Sequence, residues 1–163
     1  MPNICHRLLI EASPETVYHA ITSEEGLSAW WTPNAKVKPE IDSVARFPFG
    51  TDYFKEMRIT ELEAFKWIKW NCIKADAEWV GTKLSFKLEG GDSKTLLSSY
   101  PEMLGQLQQL SGEKATLLIF QHEDWREYTP MFAECSYTWA QFLRSLKLLR
   151  ETGKGRPGQF NIE

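Results

Sequence analysis

His122 is the side chain of this sequence best suited to acid–base chemistry. It follows Leu118 and Phe120 at intervals of two in the stretch KATLLIFQHEDW. Residues two apart share one face of a strand, so the imidazole is predicted to point inward. An inward imidazole could exchange a proton near neutral pH or hold the polar head of a ligand. A core histidine bonded to a backbone carbonyl is the competing interpretation, because no nucleophile pattern accompanies it.

Glutamates beside apolar positions are a second source of proton chemistry. Glu134 precedes Cys135 on the apolar stripe of the last predicted helix, and Glu61 is predicted to share a strand face with Met57 and Ile59. A carboxylate beside an apolar cavity can carry a proton at neutral pH. Glu134 therefore joins the histidine as a catalytic candidate. The sequence contains no GxSxG, P-loop, GxGxxG or HExxH motif that would identify a reaction.

The three cysteines, Cys5, Cys72 and Cys135, are widely spaced and form no CxxC motif. An odd and scattered set is typical of reduced thiols rather than of a disulfide framework. Cys72, Cys135 and His122 could all face inward, but zinc sites usually contain paired ligands at short spacing. We therefore predict no metal and no cofactor, and we interpret the inward cysteines as small buried thiols.

Aromatic residues make up 13% of the chain and include seven tryptophans. The stretch LSAWWTP places Trp30 and Trp31 where a helix ends before Pro33, and adjacent indoles cannot share one face of a helix. One is predicted to pack under the sheet and the other to line the mouth of a cavity, although both could be plain packing. The predicted ligand-binding residues are Trp30, Trp31, Trp70, Trp79, Phe86, Phe120, His122, Cys135, Trp139 and Phe142.

Caps and periodicity predict the elements that position these side chains. A strand is predicted within NICHRLLIEA, and a helix begins after Ser13, a good N-cap that precedes a proline. Thr22 and Glu25 have the capping-box order for a second short helix. Alternating strands follow, of which TKLSFKLE is the clearest. The last helix begins at Thr129 and carries one apolar stripe, formed by Phe132, Cys135, Trp139, Phe142, Leu146 and Leu149.

Helices segregated from an antiparallel sheet define the α+β class. The sheet is predicted to curve around the long C-terminal helix, with the two short helices at one end. Residues 1–163 are predicted to form a single domain, with an insertion at 90–114 and an extended tail at 153–163. The insertion is expected to carry a short helix, since its leucines have loosely helical spacing: Leu96, Leu97, Leu104, Leu107 and Leu110. Volume left unfilled between sheet and helix would form an aromatic cavity.

Charge and hydropathy limit the partners. The net charge is −3 with both signs interspersed, so no nucleic-acid binding is expected. No apolar run approaches the roughly 20 residues of a membrane helix, and the N-terminus lacks a signal-peptide layout, so a cytoplasmic location is expected. The strand after Lys114 is apolar on both faces, so it is central, covered on its outer face or in contact with another chain. In the last case Trp67, Leu117 and Ile119 are candidates for a homodimer contact.

Segments spread over nearly the whole chain are similar to one superfamily. They are IEASPETVYHAITSEEGLSAWW, ITELE, EWVGTKLSFKLE, HEDW and CSYTWAQFLRSLKLLRETGKGRP. In this order they resemble the START, polyketide-cyclase and birch-pollen-allergen superfamily (SRPBCC), and within it the group similar to the activator of the heat-shock-protein-90 ATPase. The resemblance implies a helix-grip fold with a deep cavity between the sheet and the last helix. It does not imply one function, because this fold serves many.

Three functions are therefore open. The leading hypothesis is non-enzymatic binding of a small apolar or amphipathic molecule between sheet and helix, with His122 and Glu134 as polar anchors. The first alternative is a cyclase or dehydratase that uses His122 and a glutamate for acid–base catalysis. The second alternative, implied by the resemblance, is a protein-interaction module that acts on a chaperone ATPase.

Overall fold

The computed structural model describes residues 1–107 and 113–158. The elements in this part of the chain are β1 (Ile4–Ile10), α1 (Pro14–Thr22), α2 (Glu24–Trp30), β2 (Val44–Pro48), β3 (Phe54–Glu63), β4 (Trp67–Lys74), β5 (Lys83–Asp92), α3 (Ser93–Ser99), a 3-10 helix (Pro101–Gln106), β6 (Lys114–Glu123) and α4 (Pro130–Thr152). The predicted order is confirmed: a strand, two short helices, antiparallel strands and a long last helix.

The six strands of the described chain form one antiparallel sheet in the order β1-β6-β5-β4-β3-β2. Because α4 is apolar along one side, it packs against the inner face of the sheet and buries Trp139, Leu143 and Leu146. α1 and α2 contact each other and α4. The curved open sheet and its long helix confirm the predicted α+β helix-grip fold. Within the described residues, no helix combines the length and apolarity needed to cross a membrane.

The joint between the two short helices depends on one cap and one close approach. Ser23 caps α2, since its Oγ accepts a hydrogen bond from Gly26 N at 3.0 Å. The predicted cap at Thr22 is wrong, because that hydroxyl donates to the Tyr18 carbonyl within α1. Gly26 is needed where the helices meet: a Cβ there would lie 2.5 Å from Ala20 Cα.

An irregularity in β3 reverses its alternation. The register against β4 shifts between Ile59 and Glu61, so Thr60 is an extra residue. Met57 and Ile59 are buried in the core, but Glu61 is exposed and accepts a hydrogen bond from Trp67 Nε1 at 2.9 Å. The prediction that Glu61 shares their face is therefore wrong, because the bulge moves it to the other side of the sheet.

Part of the predicted 90–114 insertion covers the outer face of the sheet. α3 and the 3-10 helix pack there and form a second hydrophobic cluster with β1 and β6, which consists of Leu9, Leu96, Leu97, Leu107, Ala115 and Leu117. Leu117 is fully buried, so the expectation that it is exposed for a dimer contact is wrong. Trp67 and Ile119 are half-buried. Leu110 of the predicted helical pattern lies in 108–112, outside the described residues.

The tail predicted at 153–163 is described as far as Gly158, and residues 159–163 lie outside the described chain. Gly153 ends α4 with a φ of 86°, a conformation that favours glycine. The following chain packs back on the helices. Arg156 N donates to Ser145 Oγ at 2.6 Å, and Gly158 N donates to the Trp31 carbonyl at 2.9 Å. These bonds bring the start of the tail to one end of the space beside α4.

Candidate functional site

The two adjacent tryptophans are both buried, but they contact different elements. Trp30 joins the short helices, because its Nε1 donates to the Ala20 carbonyl at 2.8 Å. Trp31 turns towards the sheet, where its ring centroid lies 4.5 Å from that of Phe47 and 6.1 Å from that of Trp70. The two indoles still stack on each other, with centroids 6.1 Å apart, so Trp30 links the short helices to the ring cluster around Trp31.

Aromatic rings occupy the space beneath Trp139. The Trp139 centroid lies 5.2 Å from that of Trp31 and 4.5 Å from that of Phe120, which is itself 5.2 Å from Phe86. These four side chains are each at most 2% exposed. At this depth the structure is therefore a solid core. Plain packing was one of the two interpretations that the sequence left open, and a cavity was the other.

A cleft of about 370 Å³ remains between the edge of this core and α4, and we call it the α4 cleft. Its lining residues are Trp31, Phe49, Lys55, Asp76, Trp79, Met131, Glu134, Cys135, Thr138, Trp139 and Phe142. An adjoining space of about 410 Å³ shares Phe49, Thr138 and Phe142 with it and reaches Gly158 of the tail. Together they form a trough along α4 that five aromatic side chains line.

Half of the predicted ligand-binding residues line the α4 cleft. These are Trp31, Trp79, Cys135, Trp139 and Phe142. The others are fully buried in the core behind it: Trp30, Trp70, Phe86, Phe120 and His122. Glu134 also lines the cleft, but its side chain is exposed at the rim.

Lys55 is the polar residue of the cleft that the sequence reasoning missed. Its side chain is only 10% exposed, and its Nζ lies 4.0 Å from the ring centroid of Trp79. The Nζ donates to the Tyr53 hydroxyl at 3.1 Å and lies 3.9 Å from Asp76 Oδ2. The sequence does indicate this position, because the alternation in β3 that buries Met57 also places Lys55 on the inner face of the sheet.

Burial determines the electrostatics around this amine. Removal from water lowers the pKa of the Lys55 ammonium, although the Asp76 carboxylate acts in the opposite direction. The pKa of the Tyr53 hydroxyl is raised to about 12 by burial and by Asp76, so this hydroxyl remains protonated at neutral pH. The cleft therefore holds one amine, poorly solvated and surrounded by aromatic rings.

His122 occupies a different place from the one its type suggested. It is fully buried, and both ring nitrogens already have partners. Trp139 Nε1, which can only donate, donates to Nδ1 at 3.2 Å. Nε2 lies 2.8 Å from Thr82 Oγ1, whose own proton is donated to the Trp79 carbonyl. The proton of the neutral imidazole must therefore be on Nε2.

These two hydrogen bonds leave His122 with no ring nitrogen free to exchange a proton with a ligand. A second proton on Nδ1 would face the indole N–H of Trp139. Burial, and to a lesser degree the positive charge of Lys55, lowers the pKa of His122 from 6.5 to about 3. His122 also does not line the α4 cleft. The predicted role as an acid, base or ligand anchor is therefore wrong, because the imidazole is a satisfied core group that positions Trp139 and Thr82.

Two inward cysteines flank the same region, Cys72 buried and Cys135 half-buried. Cys135 Sγ lies 3.3 Å from Trp79 Nε1, and burial raises the pKa of its thiol. Burial also raises the pKa of Cys72, to about 11. Within residues 1–107 and 113–158, no three histidine, cysteine or acidic side chains are grouped closely enough to hold a metal ion.

A larger depression, of about 620 Å³, lies on the surface near the start of α1. Its charged lining consists of exposed side chains, among them Lys66, Lys87 and Lys114. Such groups are fully solvated and impose no orientation on a ligand. The smaller α4 cleft is the better candidate site, because a buried charge and converging rings distinguish it.

The fold and this trough define a class of protein, the helix-grip domains of the SRPBCC superfamily, in which one long helix closes a curved sheet. The family model described as activator of Hsp90 ATPase homolog 1-like protein matches residues 11–151. The chain belongs to this family. No curated protein matched the sequence.

Solved structures agree with this assignment. The Aha1 dimer from Colwellia psychrerythraea, solved in solution, is 32% identical, covers 95% of this chain and 100% of its own, and has a TM-score of 0.74. Protein SSP2350 from Staphylococcus saprophyticus is 15% identical, with coverage of 95% and 96% and a TM-score of 0.69. Protein MLL2253 from Mesorhizobium loti is 15% identical, with coverage of 91% and 96% and a TM-score of 0.68. The last two show the fold alone.

Proposed function

We propose that the α4 cleft binds a small molecule that has an aromatic body and a head group able to accept a hydrogen bond. The observation that carries this proposal is the buried Lys55 amine within a cleft that five aromatic side chains also line. A lysine loses hydration when it is buried, so an acceptor on a ligand would replace the water that the amine lacks. Membership of the SRPBCC superfamily supports a ligand-binding domain in general.

The dimensions favour a ligand of one or two rings. A volume of about 370 Å³ lies within the range of small-molecule sites. Burying about 200 Å² of apolar ligand surface at ~25 cal/mol per Å² contributes roughly 5 kcal/mol before the costs of association. With one hydrogen bond to the Lys55 amine, affinity in the micromolar range is expected.

The test is a titration with 2-naphthoate, followed by tryptophan fluorescence and by amide chemical shifts. Lys55→Met should weaken binding roughly 10- to 100-fold, since a hydrogen bond to a charged group contributes about 1.5–3 kcal/mol. Lys74→Met is the matched control, because its exposed Nζ also lies 4.0 Å from an aromatic centroid, that of Phe54, and does not line the cleft. Equal losses in both variants, or no binding by the parent chain, would overturn the proposal.

A second function, action on a chaperone ATPase, is favoured by the 32% identity to the Aha1 dimer across both chains. If it holds, the protein should stimulate a purified bacterial Hsp90 ATPase, and Lys55→Met should leave this stimulation unchanged. Light scattering should give about twice the 18.9 kDa of one chain if this protein also forms a dimer. Such a dimer would use surfaces other than Leu117, which α3 and the 3-10 helix cover. Unchanged ATP turnover across all concentrations would eliminate this function.

A further inference from the structure

Lys55 differs from every other lysine in the described chain, because it is the one that is buried. Exposed lysines such as Lys66 and Lys83 have carboxylate partners in water, whereas Lys55 faces the open volume of the α4 cleft. Its Nζ has one protein hydrogen bond, to Tyr53, and a carboxylate oxygen of Asp76 at 3.9 Å. An ammonium has three protons to donate, so this amine has capacity left for a molecule in the cleft.

Burial also favours the neutral form of the amine, which is the nucleophile, although the Asp76 carboxylate acts in the opposite direction. Burial lowers the pKa of Lys55, so a larger fraction is neutral at a given pH than for a solvated lysine. The rings of Trp79 and Phe49, whose centroids lie 4.0 and 5.3 Å from Nζ, limit the access of water to the amine. A desolvated lysine in an apolar site is the arrangement in which amines attack carbonyl carbons.

We propose that Lys55 captures an aromatic aldehyde reversibly as an imine, so that the α4 cleft is a covalent site for carbonyl compounds. The inference rests on the proposed function, since the aldehyde must first bind with its ring against the aromatic walls. The inference specifies that the head group of the ligand is an aldehyde, whose carbonyl carbon comes close enough to Nζ to form a bond.

The step requires no oxidant, reductant or cofactor. The ammonium of Lys55 first loses a proton to water or to the Asp76 carboxylate. The Nζ lone pair then forms a bond to the aldehyde carbon while the C=O π electrons move to oxygen. The nitrogen of this adduct then passes a proton to the alkoxide, which gives the neutral carbinolamine and restores the nitrogen lone pair. The hydroxyl takes back the proton that the ammonium lost at the start and leaves as water while the nitrogen lone pair forms the C=N bond. The protonated amine and the aldehyde thus give a protonated imine and one water, and hydrolysis reverses the reaction.

The experiment is reductive trapping on the parent protein. The full chain is incubated with 2-naphthaldehyde and sodium cyanoborohydride at neutral pH, and the modified lysines are located by peptide mass spectrometry. Lys55 should carry the naphthylmethyl group at least about tenfold more than Lys74, because binding holds the aldehyde next to Nζ. Excess 2-naphthoate should protect Lys55 and leave Lys74 unaffected. In Lys55→Arg, the labelling of the remaining lysines should be unchanged.

The possible results separate the two proposals. If 2-naphthoate binds but Lys55 is labelled no faster than Lys74, the covalent inference is wrong and the binding function stands. If 2-naphthoate neither binds nor protects and Lys55 is not labelled, both are wrong. Labelling of Lys55 that 2-naphthoate does not reduce would also overturn the inference, because the aldehyde would then reach the amine without occupying the cleft. Selective, protectable labelling supports it.

Discussion

Acidification should destabilise this protein through His122, which the fold holds as a neutral imidazole. The pKa of His122 is lowered from 6.5 to about 3 in the folded chain, mainly by burial. In the unfolded chain the imidazole is solvated and titrates near 6.5. Below pH 6.5, His122 is therefore protonated in the unfolded state, whereas in the folded state it stays neutral down to about pH 3. Stability from this group is fully present above pH 6.5 and is lost progressively as the pH falls towards 3.

The magnitude follows from the width of that window. At pH 4.5, two of the roughly 3.5 units between the two pKa values of His122 have been crossed. Each unit corresponds to about 1.4 kcal/mol, so the free energy of unfolding should fall by about 3 kcal/mol from this group alone. Carboxylates also titrate in this range, so the parent protein must be compared with a variant that lacks the imidazole.

The comparison uses His122→Gln, whose amide can accept from Trp139 Nε1 and donate to Thr82 Oγ1 without any titration. Urea unfolding, followed by tryptophan fluorescence, gives the free energy of unfolding of both proteins at pH 7.5 and at pH 4.5. The stability difference between parent and variant should shift by about 3 kcal/mol in favour of the variant at the lower pH. A shift below about 1 kcal/mol would refute the reasoning, since the imidazole would then protonate with similar ease in both states.

Two further predictions test the packing of the short helices and the environment of the thiols. Gly26→Ala should lower the free energy of unfolding by about 1–3 kcal/mol, because its Cβ would collide with Ala20, and a thermal melt unchanged from the parent would contradict this close approach. A disulfide reagent at pH 8 should modify the exposed Cys5 first, the half-buried Cys135 of the α4 cleft more slowly because burial raises the pKa of its thiol, and the buried Cys72 only after unfolding. Modification of Cys72 in the native protein as fast as that of Cys5 would contradict its burial.

Local patterns predicted the elements because each depends on neighbours in sequence. The caps at Ser13 and Thr129 predicted where α1 and α4 begin, and both helices begin one residue later. The 3–4 spacing of apolar residues in α4 predicted which side faces the sheet, and Trp139 and Leu146 are buried there. The resemblance across the chain then predicted how these elements assemble, and the helix-grip fold is confirmed.

The candidate site was only partly predictable, because its properties depend on residues that are distant in sequence. Trp79, Cys135 and Trp139 line the cleft as inward positions should, since inward side chains must meet beneath the long helix. Both His122 and Lys55 point inward, so orientation alone could not distinguish them. His122 has two hydrogen-bond partners and no access to the cleft, whereas Lys55 has one and faces the open cleft. A pattern of period two gives the side of a sheet and no information on what lies across from it.

The sequence by itself determined the order of the elements, their inner faces and the superfamily, because periodicity and caps act over a few residues. Tertiary structure alone decided how much space remained between those faces. One extra residue, Thr60, moved Glu61 out of the core, and residues 93–107 covered Leu117. The packing of rings around Trp31 filled the centre and left the α4 cleft at the edge, where one desolvated amine faces the open volume. Volume and desolvation arise only when distant side chains come together, and for this reason the site was decided by the fold.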